Sequence, residues 1–407
     1  MQLSALILTL LAYMDGSSWR TVHMRAVFGV GPDIAYSTWL WAAPLVLTSL
    51  RFLAELHREA SFQELRDRGV TSLCIMLDAT FATRRKAGGS QQGALTWGTF
   101  GPAPNQYNIL GAETMERPQW RQGKCYNPGT FDGSSHHMEV AAARNLANRI
   151  LDAGFDIEMV CHDRCAAVYI VICQVCRARG RPIPLERLDW GHEAKNIKKR
   201  FAKKTGALKY MADRVKNHFL RCVQEADRSL DVFRDLWGQG LRHFAGLHDR
   251  CQHGPIDEHA TAPGHPQIRK YLDPAAMLPG APLKKRLAAQ RAFAYLTAQF
   301  QAELRDAAKF IDRVSTNCLE SLHSGIHHFA PKLKHFSKTY EARCLGAVLA
   351  RVHGRGSMVA MVLAHLGIVL NDEQVRQLAS IDEEFGSQGD AKRRPAGYRR
   401  KHTKPAM

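Results

Sequence analysis

The spacing of apolar positions along the chain changes twice. Residues 1 to about 65 carry a helical pattern broken by turns. Asp15-Gly16-Ser17-Ser18 is a turn and N-cap signal, Arg20 to Phe28 is a short amphipathic stretch, and Ser37 to Leu56 is a longer helix rich in Trp, Leu and Ala. Helix, glycine turn and helix suit either a helix-turn-helix module or a helical collar on a core. From Thr71 the helical period disappears. Ser72 to Leu77 is an unbroken apolar run that ends on Asp78, the pattern of a strand covered on both faces. Ala94 to Phe100 and Asn108 to Met115 read as two further strands, and 117–135 as loop. A helix follows from His137 to Ala153, then a strand from Ile157 to Cys161, a helix from Ala166 to Arg179, and a short strand from Leu185 to Asp189. From about 193 to 370 the pattern is helical again, interrupted by a Pro-, Gly- and His-rich stretch from Pro255 to Pro282.

The order βββαβαβ is the ribonuclease H-like pattern, although many parallel-sheet enzymes share its second half. The chain therefore reads as an N-terminal helical region (1–65), an α/β core (70–200), a helical segment (201–312), a completion of the core (313–370) and a disordered basic tail (386–407).

Charge narrows the class of partner. The 407 residues carry 56 Lys and Arg against 38 Asp and Glu, a net of +18. Residues 391–407 hold seven of the basic residues and no acid, so most of the excess belongs to the body. A polyanion is the expected partner, and DNA is the first candidate. Ten cysteines are scattered without the spacing of a disulfide scaffold, which points to free thiols. Met1 to Tyr13 is apolar but lacks a basic leader and a cleavage site. No stretch reaches the roughly 20 apolar residues of a membrane span. The expectation is a soluble intracellular protein with no membrane contact.

Two aspartates carry the first candidate chemistry. Asp78 and Asp163 each end a strand, and the strand order makes those strands neighbours. Two facing carboxylates repel unless a cation lies between them. Mg²⁺ or Mn²⁺ takes oxygen ligands and needs few from the protein. A pair of such ions suits in-line phosphoryl transfer. Against this, a lone Asp at a strand end more often caps the next turn. A third carboxylate, Glu320, stands at the start of a helix, with His323 one turn further on.

Taken in order, Leu77-Asp78-Ala79-Thr80-Phe81, Cys161-His162-Asp163-Arg164, Asp189-Trp190-Gly191-His192 and Asn317 to His323 resemble the motifs of Mutator-like element transposases. The likeness is greatest to animal and protist proteins with a Mutator-like transposase domain, and covers roughly residues 10 to 355. It implies that Asp78, Asp163 and Glu320 form a catalytic and metal-binding triad, and that Asp189 and His192 form an auxiliary D-x-x-H motif. It also implies an all-helical insertion between Asp163 and Glu320. Phe329-Ala330-Pro331-Lys332 and Tyr340-Glu341-Ala342-Arg343 match a further segment of the family. The implied activity is DNA strand cleavage and transfer with two divalent ions, in the nucleus, by a homodimer on paired DNA ends. The chain departs from the family in showing no clear N-terminal zinc finger. That keeps open a domesticated copy that binds DNA without catalysis, beside a metal-dependent nuclease that does not join strands.

Three constellations remain. Lys195, Lys198, Lys199, Arg200, Lys203 and Lys204 follow the D-x-x-H motif on one helix and suit phosphate contacts, or a solvated face. His243, His248, Cys251 and His253 have zinc-compatible spacing, in a chain whose 19 histidines make clusters by chance. Trp190 suits a base-stacking role or, more often for such a residue, a place in the core.

Overall fold

The computed structural model describes residues 36–82, 92–101, 106–121, 124–127, 129–245, 272, 275–331 and 339–392. Of the region 1–65 read as helix-turn-helix or collar, residues 1–35 lie outside them, as do His248, Cys251, His253 and the tail beyond Lys392.

A mixed five-stranded sheet is surrounded by helices, an α/β arrangement. Its strands are β1 (Ser72–Ala82), β2 (Gln92–Phe100), β3 (Tyr107–Glu116), β6 (Asp156–His162) and β7 (Leu185–Leu188), in the spatial order β3-β2-β1-β6-β7. β1 pairs with β6 and β6 with β7 in parallel, while β2 and β3 are antiparallel. The unbroken apolar run of β1 is explained by its place at the centre of the sheet. Two expectations need correction. β1 runs four residues beyond Asp78, to Ala82. Residues 117–135 are not all loop: β4 (Gln119–Arg121) and β5 (Lys124–Asn127) form a small hairpin.

The chain divides into two compact units. One comprises residues 1–71, 79–154 and 319–407, the other 72–78 and 155–318. In the first, the hairpin β2–β3 carries a bulge between Trp97 and Gly98. Gly98 is required there, since a Cβ would lie 2.3 Å from the Asn108 carbonyl oxygen. Helices α1 (Tyr36–Asp67) and α2 (Ser135–Asp152) pack in the same unit, with Leu50, Phe62, Trp97, Ala143 and Leu146 buried. The expected helix Ser37–Leu56 is thus a longer one, with Pro44 tolerated inside it.

The same unit holds most of α8 (Asn317–Phe329) and all of α9 (Tyr340–His353), α10 (Arg355–His365) and α11 (Asp372–Lys392). α11 corrects the disordered reading of 386–392. Arg343 donates to the Phe329 carbonyl at 2.6 Å, and Arg51 forks onto Glu341 at 2.6 and 2.7 Å. α10 starts after Gly354, which supplies no side-chain cap. Asp382 of α11 replaces it, accepting from Gly356 N, Ser357 N and Ser357 Oγ at 2.7–2.9 Å.

In the second unit, α3 (Ala166–Ala178) follows β6. A helical cluster is then built from α4 (Trp190–Ala202), α5 (Ala207–Glu225), α6 (Leu230–Phe244) and α7 (Leu283–Phe310). Its centre is aromatic. Trp237 stacks on Phe300 at 4.1 Å and donates Nε1–H to the Phe300 carbonyl, with Phe219, Phe233 and Phe310 around it. Trp190 packs against this cluster, in agreement with a core role. Among the described residues nine cysteines are free thiols, and no single helix is long and apolar enough to cross a membrane.

Asp382→Ala is expected to lower unfolding free energy by about 1–2 kcal/mol, the worth of a lost helix cap, with an unchanged urea m-value. An unchanged midpoint would show that the cap is dispensable.

Candidate functional site

The parallel strands carry the motif aspartates toward one end of the sheet. Met76 lies opposite Cys161 and His162 opposite Leu188. Asp78 lies two residues past Met76 within β1, Asp163 directly follows β6 and Asp189 directly follows β7, so all three stand toward the carboxyl end of the parallel strands. That end is where open α/β sheets hold their ligands. Their environments differ. Asp78 is buried within β1, Asp163 is exposed in the turn after β6, and Asp189 is 2% exposed.

Asp189 is fully engaged by the protein. Oδ1 accepts from His192 N at 2.8 Å and so caps α4, while the Asp189 amide donates to the His162 carbonyl. Oδ2 accepts from Ser315 Oγ at 2.9 Å, Thr316 N at 2.6 Å and Thr316 Oγ1 at 2.9 Å. Burial raises the carboxyl pKa, but the donors from Thr316 and His192 outweigh it and hold the group below its ordinary value. Asp189 therefore fastens the segment that leads into α8.

α8 carries Glu320 in its first turn. Just before it, Cys318 Sγ lies 2.9 Å from Met76 Sδ of β1. Further along, His327 Nε2 bonds Thr80 Oγ1 at 2.9 Å and His323 Nε2 bonds Thr96 Oγ1 at 2.7 Å. His323 and His327, one turn apart, are sheet anchors, a role that the sequence reading did not assign to them. Among the described residues, no three His, Cys, Asp or Glu side chains converge into a group that could hold an ion.

Around the turn after β6 lies a charged cluster that sequence reasoning missed. Arg164 follows Asp163 with a left-handed backbone, φ 74°. Its guanidinium lies 2.6 Å from Asp306 and 3.2 Å from Glu193, which holds an otherwise costly conformation. Glu193 and Glu303 are each 1% exposed, and Arg200 Nη2 bridges them at 2.8 and 2.5 Å. Burial, and then repulsion from Glu193, push the Glu303 carboxyl up to about 7 despite the two arginines. A sequence signal existed. Glu303 occupies a core position three residues after Phe300 and seven before Phe310, where a charge requires a buried partner.

Beside it, His162 Nε2 stands 3.4 Å from Glu186 Oε1, and Lys309 bonds the other Glu186 oxygen at 2.8 Å. His162, burial and Lys309 act on Glu186 in that order of size, and its carboxyl falls to about 2.

The basic run divides in two. Arg200 faces inward onto Glu193 and Glu303, and Lys198 pairs with Asp213 at 2.6 Å. Lys195, Lys199, Lys203 and Lys204 are exposed, and Lys204 Nζ lies 4.1 Å over the Tyr295 ring. His192 sits in the first turn of α4. His243 ends α6, edge-on to Phe244. Its proposed zinc partners fall outside the described residues. Compared with family models, with characterised proteins and with solved structures, the chain matches none.

Asp189→Asn turns an NH₂ group toward donors and is expected to cost about 2–3 kcal/mol at neutral pH. The depressed pKa fixes the sign. The contribution is complete above the unfolded value of about 3.9 and fades as pH falls through the lower folded one. Wild-type and variant stability curves should therefore converge in acid, and a pH-independent gap in chemical denaturation would refute the charge argument. Glu303 works the other way. Its raised pKa removes stability as pH climbs from about 4.3 to about 7. Glu303→Gln should flatten that slope, and an unaltered slope would assign it to other groups.

Proposed function

We propose that the chain is a divalent-metal-dependent DNA phosphoryl transferase of the transposase type. Its sheet would be a ribonuclease H-like core, and α5 to α7 would be the insertion before the last catalytic helix. The observation that carries the reading is the parallel pairing of β1 with β6, which puts Asp78 of β1 and Asp163, just after β6, toward the same end of the sheet. Glu320, in the first turn of α8, would be the third ligand, as the order of the motifs implies. Hard carboxylate oxygens suit Mg²⁺ or Mn²⁺.

When bound, two such ions would activate a water or a 3′-hydroxyl and steady the leaving oxygen. The protein's own part is positional. Asp189 fixes the approach to α8, and Arg164 with its acidic partners fixes the turn that presents Asp163. His192, whose backbone N–H caps onto Asp189, would orient a flanking phosphate. The exposed lysines of α4 would neutralise DNA phosphates. Nuclear residence and action as a dimer on paired ends belong to the same proposal, as does a zinc ion at His243, His248, Cys251 and His253.

The test is cleavage and joining of labelled duplex DNA by the full chain with Mg²⁺. Asp78→Ala, Asp163→Ala and Glu320→Ala should each reduce both products by at least about a hundredfold (roughly 2.7 kcal/mol) while DNA binding persists. Cutting without joining would make the protein a nuclease. Binding without cutting by the wild type would make it a DNA-binding protein with an idle fold.

A further inference from the structure

Two stretches of the second unit carry many bases and no acid, residues 194–212 and 275–302. The fold joins them. Arg200 of α4 binds Glu303 of α7, and Lys204 just beyond α4 covers Tyr295 of α7. Tyr295 also donates to the Arg200 carbonyl at 3.3 Å and meets Phe201 edge-on at 5.6 Å. Numbers rise along α4 as they fall along α7, so the two helices are antiparallel. Past Tyr295, α7 continues in the direction of α4 after α4 has ended.

The exposed bases follow that line. Lys195, Lys199 and Lys203 recur every four residues on α4, and Lys284, Arg291 and Tyr295 share one stripe of α7. Lys195 to Lys204 covers roughly 13 Å and Tyr295 to Lys284 roughly 16 Å. Together they make about 30 Å, or about nine base-pair steps at ~3.4 Å each. The line starts beside Arg164, which touches Glu193 at the beginning of α4.

We propose that α4 and the N-terminal half of α7 form one continuous track for the phosphate backbone of duplex DNA, leading away from the Asp163 turn. It deepens the transferase reading by assigning the substrate a flank of about nine base pairs beyond the reacting phosphate. The occupant is argued from charge: exposed cations on two stretches that contain no acid, spaced along one line, match a polyanion with regular spacing. The Glu193–Arg200–Glu303 bridge keeps both helices in one fixed alignment, and Tyr295 closes the seam between them.

The experiment uses the full chain and a labelled 30-base-pair duplex without divalent metal, read by fluorescence anisotropy over a range of salt. Lys284→Gln/Lys285→Gln/Arg291→Gln should weaken binding at least tenfold at ~0.1 M salt. It should also lower the slope of log K against log salt by about 2, near 0.9 for each of Lys284 and Arg291 on the track. The control Arg68→Gln/Arg144→Gln/Arg177→Gln removes equal charge elsewhere and should leave the slope within about 1 of wild type. Shortening the duplex below about nine base pairs should erase the difference between wild type and the α7 variant. Wild-type affinity and slope in the α7 variant, an equal loss in the control, or tighter binding of an RNA duplex would each overturn the track.

Asp78→Ala separates this from the catalytic reading. If it binds normally but cleaves nothing while the α7 variant binds as wild type, the track falls and the reaction stands. If it cleaves normally while the α7 variant has lost binding, the reaction assignment falls and the track stands.

Discussion

A carboxylate buried to 2% exposure, with four donors converging on it, is the constraint on which the candidate site depends. Asp189 cannot leave water unless its charge is met, and the groups that meet it come from two distant parts of the sequence. One oxygen ends β7 and starts α4. The other captures Ser315 and Thr316, more than a hundred residues later. Without it, the segment that returns from the helical cluster to α8 would have no fixed point of entry. The D-x-x-H pattern is therefore satisfied first by architecture, since the Asp side chain is spent on backbone and hydroxyl donors.

Much of the sheet was legible in the sequence because burial on both faces leaves a plain mark. Ser72 to Leu77 is an almost continuous apolar run and Ile157 to Cys161 is apolar but for the exposed Glu158, and both are parallel strands at the expected positions. The end of β1 was misplaced for a physical reason. Asp78 looks like a boundary because charge usually stops a strand, yet the strand continues through Thr80 to Ala82. The β4–β5 hairpin was hidden because three- and four-residue strands have no room to show a period of two.

The site was legible in part. That Asp78 and Asp163 stand toward the same end of neighbouring strands follows from strand order, which the pattern supplied. The direction taken by each basic side chain does not. Lys199 and Arg200 are adjacent and alike on paper, but helical rotation sends one to solvent and the other between Glu193 and Glu303. Arg164 was read only as part of a motif. Its real partners, Glu193, Glu303 and Asp306, are close only once α7 has folded back beside α4. Nothing local in the sequence marks that return, except a glutamate at a position where an apolar residue belongs.

That glutamate bears on how the molecule would respond to redesign. A buried array of two carboxylates and an inward guanidinium is often no more stable than leucines and methionines of the same volume. Repacking Glu193, Arg200 and Glu303 with such residues could leave the melting temperature unchanged or raise it. The loss would be of another kind. Apolar side chains tolerate sliding, whereas a bridged ion triad accepts one alignment of its helices. In this cluster the charges set the rotation and offset of α4 against α7, and a hardier variant could be one in which the two rods no longer keep step.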